Sequence, residues 1–155
     1  MLLGIHVDDG IIASTNLNWT KKVIKQIRER YTLGECKPLE WYLGMGIKFN
    51  PILGIATITS ERYIEELARR FGITDERVRS VSTPADPGVK LRVKTDDEEL
   101  TEQPYLRLVG ALIYLSITTR PDITTAVNAC SRFMSAPTEK HWKAAKRILV
   151  YAYGT

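Results

Sequence analysis

The chain has 155 residues, of which 44% are hydrophobic and 26% charged, and its net charge is +4. These values are ordinary for a soluble globular protein, and the mild basic excess permits nucleic-acid binding without requiring it. No apolar run reaches the roughly 20 residues of a membrane span, so we expect an intracellular protein, cytoplasmic or nuclear, without a membrane partner.

The sequence contains few side chains that could ligate a metal through sulfur or nitrogen, or act as a catalytic nucleophile. The two cysteines, Cys36 and Cys130, lack the spacing of metal ligands, and we expect reduced thiols that fill a core. The two histidines, His6 and His141, exclude a histidine-rich metal site. No Ser-His-Asp or Cys-His pattern points to a catalytic nucleophile.

Two adjacent carboxylates lie between two short apolar runs at the start of the chain. The runs predict strands over Leu3–Val7 and Gly10–Ser14, and the Asp-Asp-Gly between them predicts a tight hairpin turn. Paired carboxylates at a hairpin tip can hold divalent cations for phosphoryl transfer, which makes Asp8 and Asp9 candidate catalytic and metal-binding residues. Asp and Gly are also favoured in turns for backbone reasons alone, so the local pattern leaves both interpretations open.

The next predicted element is a helix that Asn18 or Thr20 caps and that runs to about Tyr31. Gly34 is suited to end it in a left-handed conformation. A strand is predicted over Glu40–Phe49, followed by turn residues.

A returning strand is predicted over Ile55–Thr59. Ser60 then caps a second helix, which Gly72 ends. Its predicted apolar face consists of Tyr63, Ile64, Leu67, Ala68 and Phe71.

The last third predicts three helices after an irregular segment. Residues 80–103 are predicted to be a linker that packing on its neighbours partly orders, and their acidic run Asp96–Glu99 is typical of a solvated loop. The helices are predicted to begin at Pro104, Pro121 and Pro137-Thr138. Their predicted inner faces are Leu106, Val109, Leu112, Ile113, Leu115 and Ile117; Ile123, Ala126, Val127, Cys130, Phe133 and Met134; and Trp142, Ala145, Ile148, Leu149 and Ala152. Strands early and helices late predict an α+β class.

An ordered set of motifs covers essentially the whole chain. It comprises His6-Val7-Asp8-Asp9, Leu33-Gly34-Glu35, Trp41–Ile47, Val81–Pro87, Tyr105–Leu115, Thr119–Ile123, Ala126–Asn128, Ser131–Met134, His141–Leu149 and Tyr153–Thr155. In the sequences of its motifs and in their order, this set resembles the reverse transcriptase of copia-type retrotransposon polyproteins. The acidic pair corresponds to that family's [YF]-x-D-D hairpin.

The resemblance implies a partial polymerase palm made of two antiparallel hairpins with two helices, over residues 1–79. Residues 80–103 would be the linker and residues 104–155 a three-helix thumb or connection region. It further implies that Asp8 and Asp9 hold Mg²⁺ or Mn²⁺ in a two-metal site, weakly in the isolated fragment. The third carboxylate and the nucleotide-holding fingers would lie upstream, an RNase H domain downstream, and the partner would be an RNA–DNA or DNA primer-template.

The resemblance also implies contacts to nucleic acid. His6 stands where the family usually has an aromatic residue against the primer terminus, and it equally suits a half-buried strand position. Trp41, Leu43 and Gly44 match the primer-grip hairpin, where Gly44 and Gly46 would let a strand approach the backbone; packing under the sheet is the alternative for the aromatic residues.

The final helix carries basic residues at spacings of three and four, which can follow a phosphate backbone or form a solvated face. These are Lys140, Lys143, Lys146 and Arg147. Arg120 and Asp122 are interpreted as helix-start and packing residues.

The predicted function is therefore that of a fragment of an RNA-directed DNA polymerase, a nucleotidyltransferase. We expect the isolated chain to be inactive as a polymerase. Two alternatives stay open: a non-catalytic nucleic-acid-binding remnant, and an inert fragment of a decayed element.

Overall fold

All five strands of the described residues lie before Ser60, and four of the five α-helices lie after Thr59. The computed structural model describes residues 1–73 and 81–155, which form a mixed α+β structure with two small antiparallel sheets. The α+β class is thus confirmed. Two compact units are present, Met1–Thr59 and Ser60–Thr155. None of the helices in the described ranges is long and apolar enough to cross a membrane.

The first sheet is a two-stranded hairpin. Strand β1 (Leu2–His6) pairs with β2 (Asp9–Ala13), with His6 opposite Asp9. The turn residues are therefore Val7 and Asp8, and the predicted Asp-Asp-Gly turn is wrong by one residue. The turn has this register although Val7 must adopt a left-handed φ of 52°, which is unusual for a β-branched residue.

Helix α1 (Leu17–Arg28) follows, and it begins and ends earlier than predicted. Asn16, rather than Asn18 or Thr20, is its N-cap, because the Asn16 side chain accepts a 3.0 Å hydrogen bond from the backbone N–H of Trp19. Tyr31 lies beyond the helix and is exposed, so no buried apolar group holds a further turn. Gly34 does not adopt the left-handed conformation expected of it.

The second sheet has three strands where two were predicted. Its strands are β3 (Trp41–Tyr42), β4 (Met45–Asn50) and β5 (Ile55–Thr59). The predicted strand Glu40–Phe49 is interrupted by a two-residue turn, since Leu43 and Gly44 both have positive φ, 51° and 79°. The predicted return strand Ile55–Thr59 is confirmed.

The core lies in the second unit, among four helices. These are α2 (Glu61–Arg70), α3 (Tyr105–Thr118), α4 (Thr124–Ser131) and α5 (Glu139–Gly154). The predicted start of α2 at Ser60 and the turn at Gly72, with φ of 66°, are confirmed. The largest buried side chains include Tyr105, Leu67, Leu108, Leu112, Leu115, Ile123, Ile148 and Leu149.

Two residues of α3 were predicted to be buried and are not. Leu106 and Ile117 are 54% and 74% exposed. The helix buries the face that Tyr105, Leu108 and Leu112 share at spacings of three and four, and the other two fall outside it.

The proline positions predicted the helix starts closely. Pro104 is the N-cap of α3 instead of its first residue, and Pro121 opens a 3₁₀ turn, Pro121–Ile123, that leads into α4. Because α4 ends at Ser131, the half-buried Phe133 and Met134 lie just past it.

Residues 81–103 contain no helix or strand, but they are fastened to the helical unit. Val81 and Leu91 pack against the core, and the N–H of Thr101 donates to the carbonyl of Pro137 at 2.9 Å. The compact units divide between Thr59 and Ser60, which assigns α2 to the second unit. The functional division into 1–79, 80–103 and 104–155 stays a prediction, and residues 74–80 lie outside the described ranges.

Candidate functional site

The two candidate catalytic aspartates sit at the tip of the first hairpin. Asp8 occupies the turn, Asp9 opens β2, and both are exposed, as is His6 opposite Asp9. The strained φ of Val7 fixes the backbone directly before the pair. This geometry agrees with the expectation that the pair lies at a hairpin tip.

The pair has oxygen donors of the kind that Mg²⁺ and Mn²⁺ prefer, but two carboxylates do not complete a coordination sphere. Within residues 1–73 and 81–155, no group of three or more His, Cys, Asp and Glu side chains is arranged to hold a metal ion. A complete two-metal site would therefore need further ligands from outside these ranges.

In the second candidate hairpin, packing within the sheet accounts for the glycine at position 46. Gly46 is buried opposite Trp41, and a Cβ on Gly46 would lie 3.3 Å from Cη2 of that indole and 3.0 Å from the Thr59 hydroxyl oxygen. The expectation that Gly46 is open to a nucleic-acid strand is wrong, because Trp41 covers it. Leu43 and Gly44 form the turn, where Gly44 is exposed and Leu43 is half-buried.

The basic residues of α5 do not form one uniform solvated stripe. Nζ of Lys140 lies 2.8 Å from a carboxylate oxygen of Glu98, and the Arg147 guanidinium donates to the carbonyl and hydroxyl oxygens of Thr83 at 3.2 and 3.1 Å. Lys143 and Lys146 have no ion pair or hydrogen bond with any described residue. Two of the four cations thus hold residues 81–103 against the helix.

Three relatives show what the chain is similar to. It is 33% identical, over its whole length, to the retrovirus-related Pol polyprotein from transposon TNT 1-94 of Nicotiana tabacum, covering 12% of that protein. It is 34% identical over 97% of its length to the Pol polyprotein from transposon RE1 of Arabidopsis thaliana, covering 10%. An uncharacterized mitochondrial protein of Arabidopsis thaliana is 30% identical over the whole chain, which covers 62% of it.

Along its whole length the chain is similar to segments of Pol polyproteins of copia-type transposons. It spans about a tenth of the length of the two polyproteins. No family model matches the chain, and no solved structure matches it either.

The motif around Arg120 and Asp122 has a structural role. Arg120 donates to both carboxylate oxygens of Asp122, at 3.0 and 2.8 Å, and to the carbonyl of Ala152 at 2.9 Å near the end of α5. The ion pair raises the pKa of Arg120 and lowers that of Asp122. The motif Thr119–Ile123 therefore joins the start of α4 to the last turn of α5, as its interpretation as packing residues implies.

The sequence interpretation missed the role of a buried histidine. His141 is 2% exposed and forms a capping box with Thr138, whose backbone N–H donates to Nδ1 at 2.9 Å. The spacing of three residues between Thr138 and His141 was a visible signal, although Glu or Gln normally fills the second position.

The two cysteines differ in their surroundings. Cys130 is buried, and burial raises the pKa of its thiol to about 11, so it is a core residue as expected. Tyr105 donates a 2.8 Å hydrogen bond to the Cys130 carbonyl, and burial raises the pKa of Tyr105. Cys36 is exposed, so the expectation that it fills a core is wrong.

Proposed function

We propose that this chain is the part of a copia-type reverse transcriptase that carries the paired aspartates of its nucleotidyl-transfer site. The observation that carries the proposal is the position of Asp8 and Asp9 at the tip of a two-residue hairpin. Similarity to Pol polyproteins along the whole chain supports it. Residues 1–79 would then be the C-terminal half of the palm, residues 80–103 the linker and residues 104–155 the helical region that follows it.

In this proposal, Asp8 and Asp9 would supply carboxylate oxygens to bound Mg²⁺ or Mn²⁺. Such ions neutralise phosphate charge and activate a hydroxyl nucleophile when they are bound. What the chain itself provides is two exposed carboxylates at a hairpin tip. The remaining ligands and the nucleotide-binding fingers would come from another part of the polyprotein.

The burial pattern of the first unit supports a role within a larger assembly. Among residues 1–59, all of which the structure describes, only Gly46 is buried. Leu2, Ile5 and Ile52 are 77%, 71% and 92% exposed. In this proposal, further protein would cover these exposed apolar side chains.

Nucleic-acid contact is the second part of the proposal. Lys143 and Lys146 have charges that no described acidic group neutralises, and these two, more than Lys140 and Arg147, would meet a phosphate backbone. His6 and the Leu43-Gly44 turn would lie along the primer.

Metal binding by the isolated chain tests the proposed role of Asp8 and Asp9 as metal ligands. Titration with Mn²⁺ should selectively broaden the amide NMR signals around Asp8 and Asp9, because a paramagnetic ion relaxes nearby nuclei. The Asp8→Asn/Asp9→Asn variant should lose this effect. The matched control is Asp96→Asn/Asp97→Asn, which changes another adjacent and exposed aspartate pair. Broadening that follows the control pair instead would contradict the proposal.

A chimaera tests the activity itself. The aligned segment of the TNT 1-94 polyprotein is replaced by this chain, and template-dependent nucleotide incorporation is measured. The chimaera should be active, Asp8→Asn should abolish incorporation, and His6→Tyr should increase it if the ring at this position lies against the primer. Incorporation that is indifferent to Asp8→Asn would refute the assignment.

A further inference from the structure

The second unit contains a cavity whose apolar interior none of the proposed polymerase roles uses, although Lys143 of its lining is also proposed to meet nucleic acid. It has a volume of about 450 Å³ and lies between residues 84–91 and the helices α4 and α5. Its apolar lining includes Ala126, Ala129 and Cys130 of α4, Ala144 and Ile148 of α5, and Phe133. Both the volume and the apolar lining are typical of sites for small organic ligands.

The edge of this cavity is strongly cationic. Four basic side chains line it, namely Arg132, Lys140, Lys143 and Arg147, against the single carboxylate of Asp86. Lys140 is paired with Glu98, and an Asp86 oxygen accepts a 3.0 Å hydrogen bond from the Gly88 N–H within its own turn. No described carboxylate lies within ion-pair distance of the other three cations.

Two of those cations are placed to meet a ligand. Lys143 is exposed and has no hydrogen-bond partner among the described residues, and the Arg132 guanidinium lies 5.9 Å from the ring centroid of Phe133. Arg147 is held by neutral atoms of Thr83, so its charge adds to the same field. A cavity with an apolar lining and with cations that form no ion pair favours a ligand with an apolar body and an anionic end.

We propose that this cavity binds a small organic anion, with a flat apolar body over Ala129 and Phe133 and a carboxylate toward Lys143 and Arg132. Residues 84–91 close one side of the cavity, which favours a body of one or two rings over a polymer chain. This inference concerns the helical unit and does not depend on the proposed role of Asp8 and Asp9.

The probe is 2-naphthoate, with 2-naphthamide as the neutral analogue of the same shape. Binding is followed by methyl NMR of Ala126, Ala129 and Ala144 in the full chain. The naphthoate should shift these methyl signals in a saturable manner at millimolar concentration, and the amide should bind about tenfold more weakly.

Three variants make the test specific. Arg132→Gln/Lys143→Gln should weaken naphthoate binding about tenfold, because it removes the cations at the rim. Ala129→Trp should abolish binding by filling the cavity, and because Ala129 is itself exposed on α4 this change should leave folding intact. The matched control, Lys21→Gln/Lys22→Gln, removes the same charge from exposed positions of α1 and should change nothing.

Thermal unfolding checks that each variant is folded. Saturable shifts at the three alanines of the wild type, lost at Ala126 and Ala144 in the Ala129→Trp variant, would support the site. Absence of shifts in the folded wild type, shifts confined to residues 1–59, or equal affinity for the amide would overturn the proposal. None of these negative results would affect Mn²⁺ binding at Asp8 and Asp9, so the two proposals fail independently.

Discussion

Nε2 of His141 donates a hydrogen bond to the carbonyl oxygen of Arg92, over a distance of 3.0 Å. The direction follows from the other ring nitrogen, because Nδ1 accepts from the Thr138 N–H and Nε2 must then carry the proton. The Phe133 ring stacks on the imidazole with centroids 4.3 Å apart. One buried side chain thus caps α5 and holds the preceding irregular segment against it.

His141→Ala should lower the free energy of unfolding by about 1–3 kcal/mol, because it leaves the buried Thr138 amide at the start of α5 and the Arg92 carbonyl without partners. Urea denaturation measures the loss. His141→Gln is the matched variant, since a glutamine at this position can still accept the capping hydrogen bond, and it should lose less. Equal stability of the alanine variant and the wild type would contradict the assigned role.

Low pH should destabilise the packing of the same irregular segment on α5, because Glu98 becomes protonated. The hydrogen bond from Lys140, followed by that from the Thr95 N–H and the charge of Arg92, lowers the pKa of Glu98 from about 4.5 to about 2. Because the folded-state pKa is depressed, its contribution to stability is complete above the unfolded pKa and is lost as the pH falls from about 4.5 through about 2.

Glu98→Gln should therefore flatten the dependence of the urea midpoint on pH in this window. Glu99→Gln removes a neighbouring carboxylate that has no hydrogen-bond or ion-pair partner in the described ranges, and it should retain the wild-type dependence. If the urea midpoint of Glu98→Gln depended on pH in the same way as that of the wild type, the Glu98 carboxylate would not be bound to Lys140 in solution.

Trp142→Ala should cost about 3–5 kcal/mol of unfolding free energy, because the indole is 8% exposed and lies against Phe71 with ring centroids 6.0 Å apart. The adjacent Lys143→Ala should change stability by less than about 0.5 kcal/mol, since Lys143 is exposed. Chemical denaturation of both variants measures the difference. Similar losses for the two would mean that α5 does not bury the face assigned to it.

Binding to an RNA–DNA duplex should be weak and without sequence preference. Of the four basic residues Lys140, Lys143, Lys146 and Arg147 on α5, Lys143 and Lys146 have no partner in the described ranges, so the log–log salt slope should be roughly −2, instead of the roughly −4 of a four-cation stripe. Lys143→Gln/Lys146→Gln should flatten it, whereas Lys21→Gln/Lys22→Gln should leave it unchanged. Fluorescence anisotropy at several salt concentrations measures the slope, and an unchanged slope in the first variant would exclude α5 as the binding surface.

The purified chain alone should not extend a primer on an RNA template with Mg²⁺ or Mn²⁺. Asp8 and Asp9 provide two carboxylates, and the described residues place no third beside them. A primer-extension assay checks this, with Asp8→Asn/Asp9→Asn as the background. Template-dependent incorporation above that background would show that the expected inactivity is wrong.

The helical unit was the more predictable part of the fold. Apolar residues at spacings of three and four, such as Trp142, Ala145 and Leu149, identified the buried faces because a core lies beside them. The error at Ile117 arose because α3 is apolar almost all round, so that composition did not indicate which face is buried.

The hairpin turns were less predictable, since local chemistry did not mark them. The turn at Leu43-Gly44 requires a leucine at positive φ, and no Asn-Gly or Asp-Gly signals it. Likewise, the partners of Lys140 and Arg147 are 42 and 64 residues away in sequence. Helix periodicity identifies residues that share a face, but it contains no information on such distant partners.

Because buried residues are concentrated in the second unit, the two units should differ in their resistance to limited proteolysis. A digest with a small amount of protease should remove the first 59 residues, whose lone buried position is a glycine, and leave a resistant product that begins near Ser60. The aspartates would be lost with the degraded part. Any reconstitution of their chemistry must therefore begin by supplying protein to cover the strands that carry them.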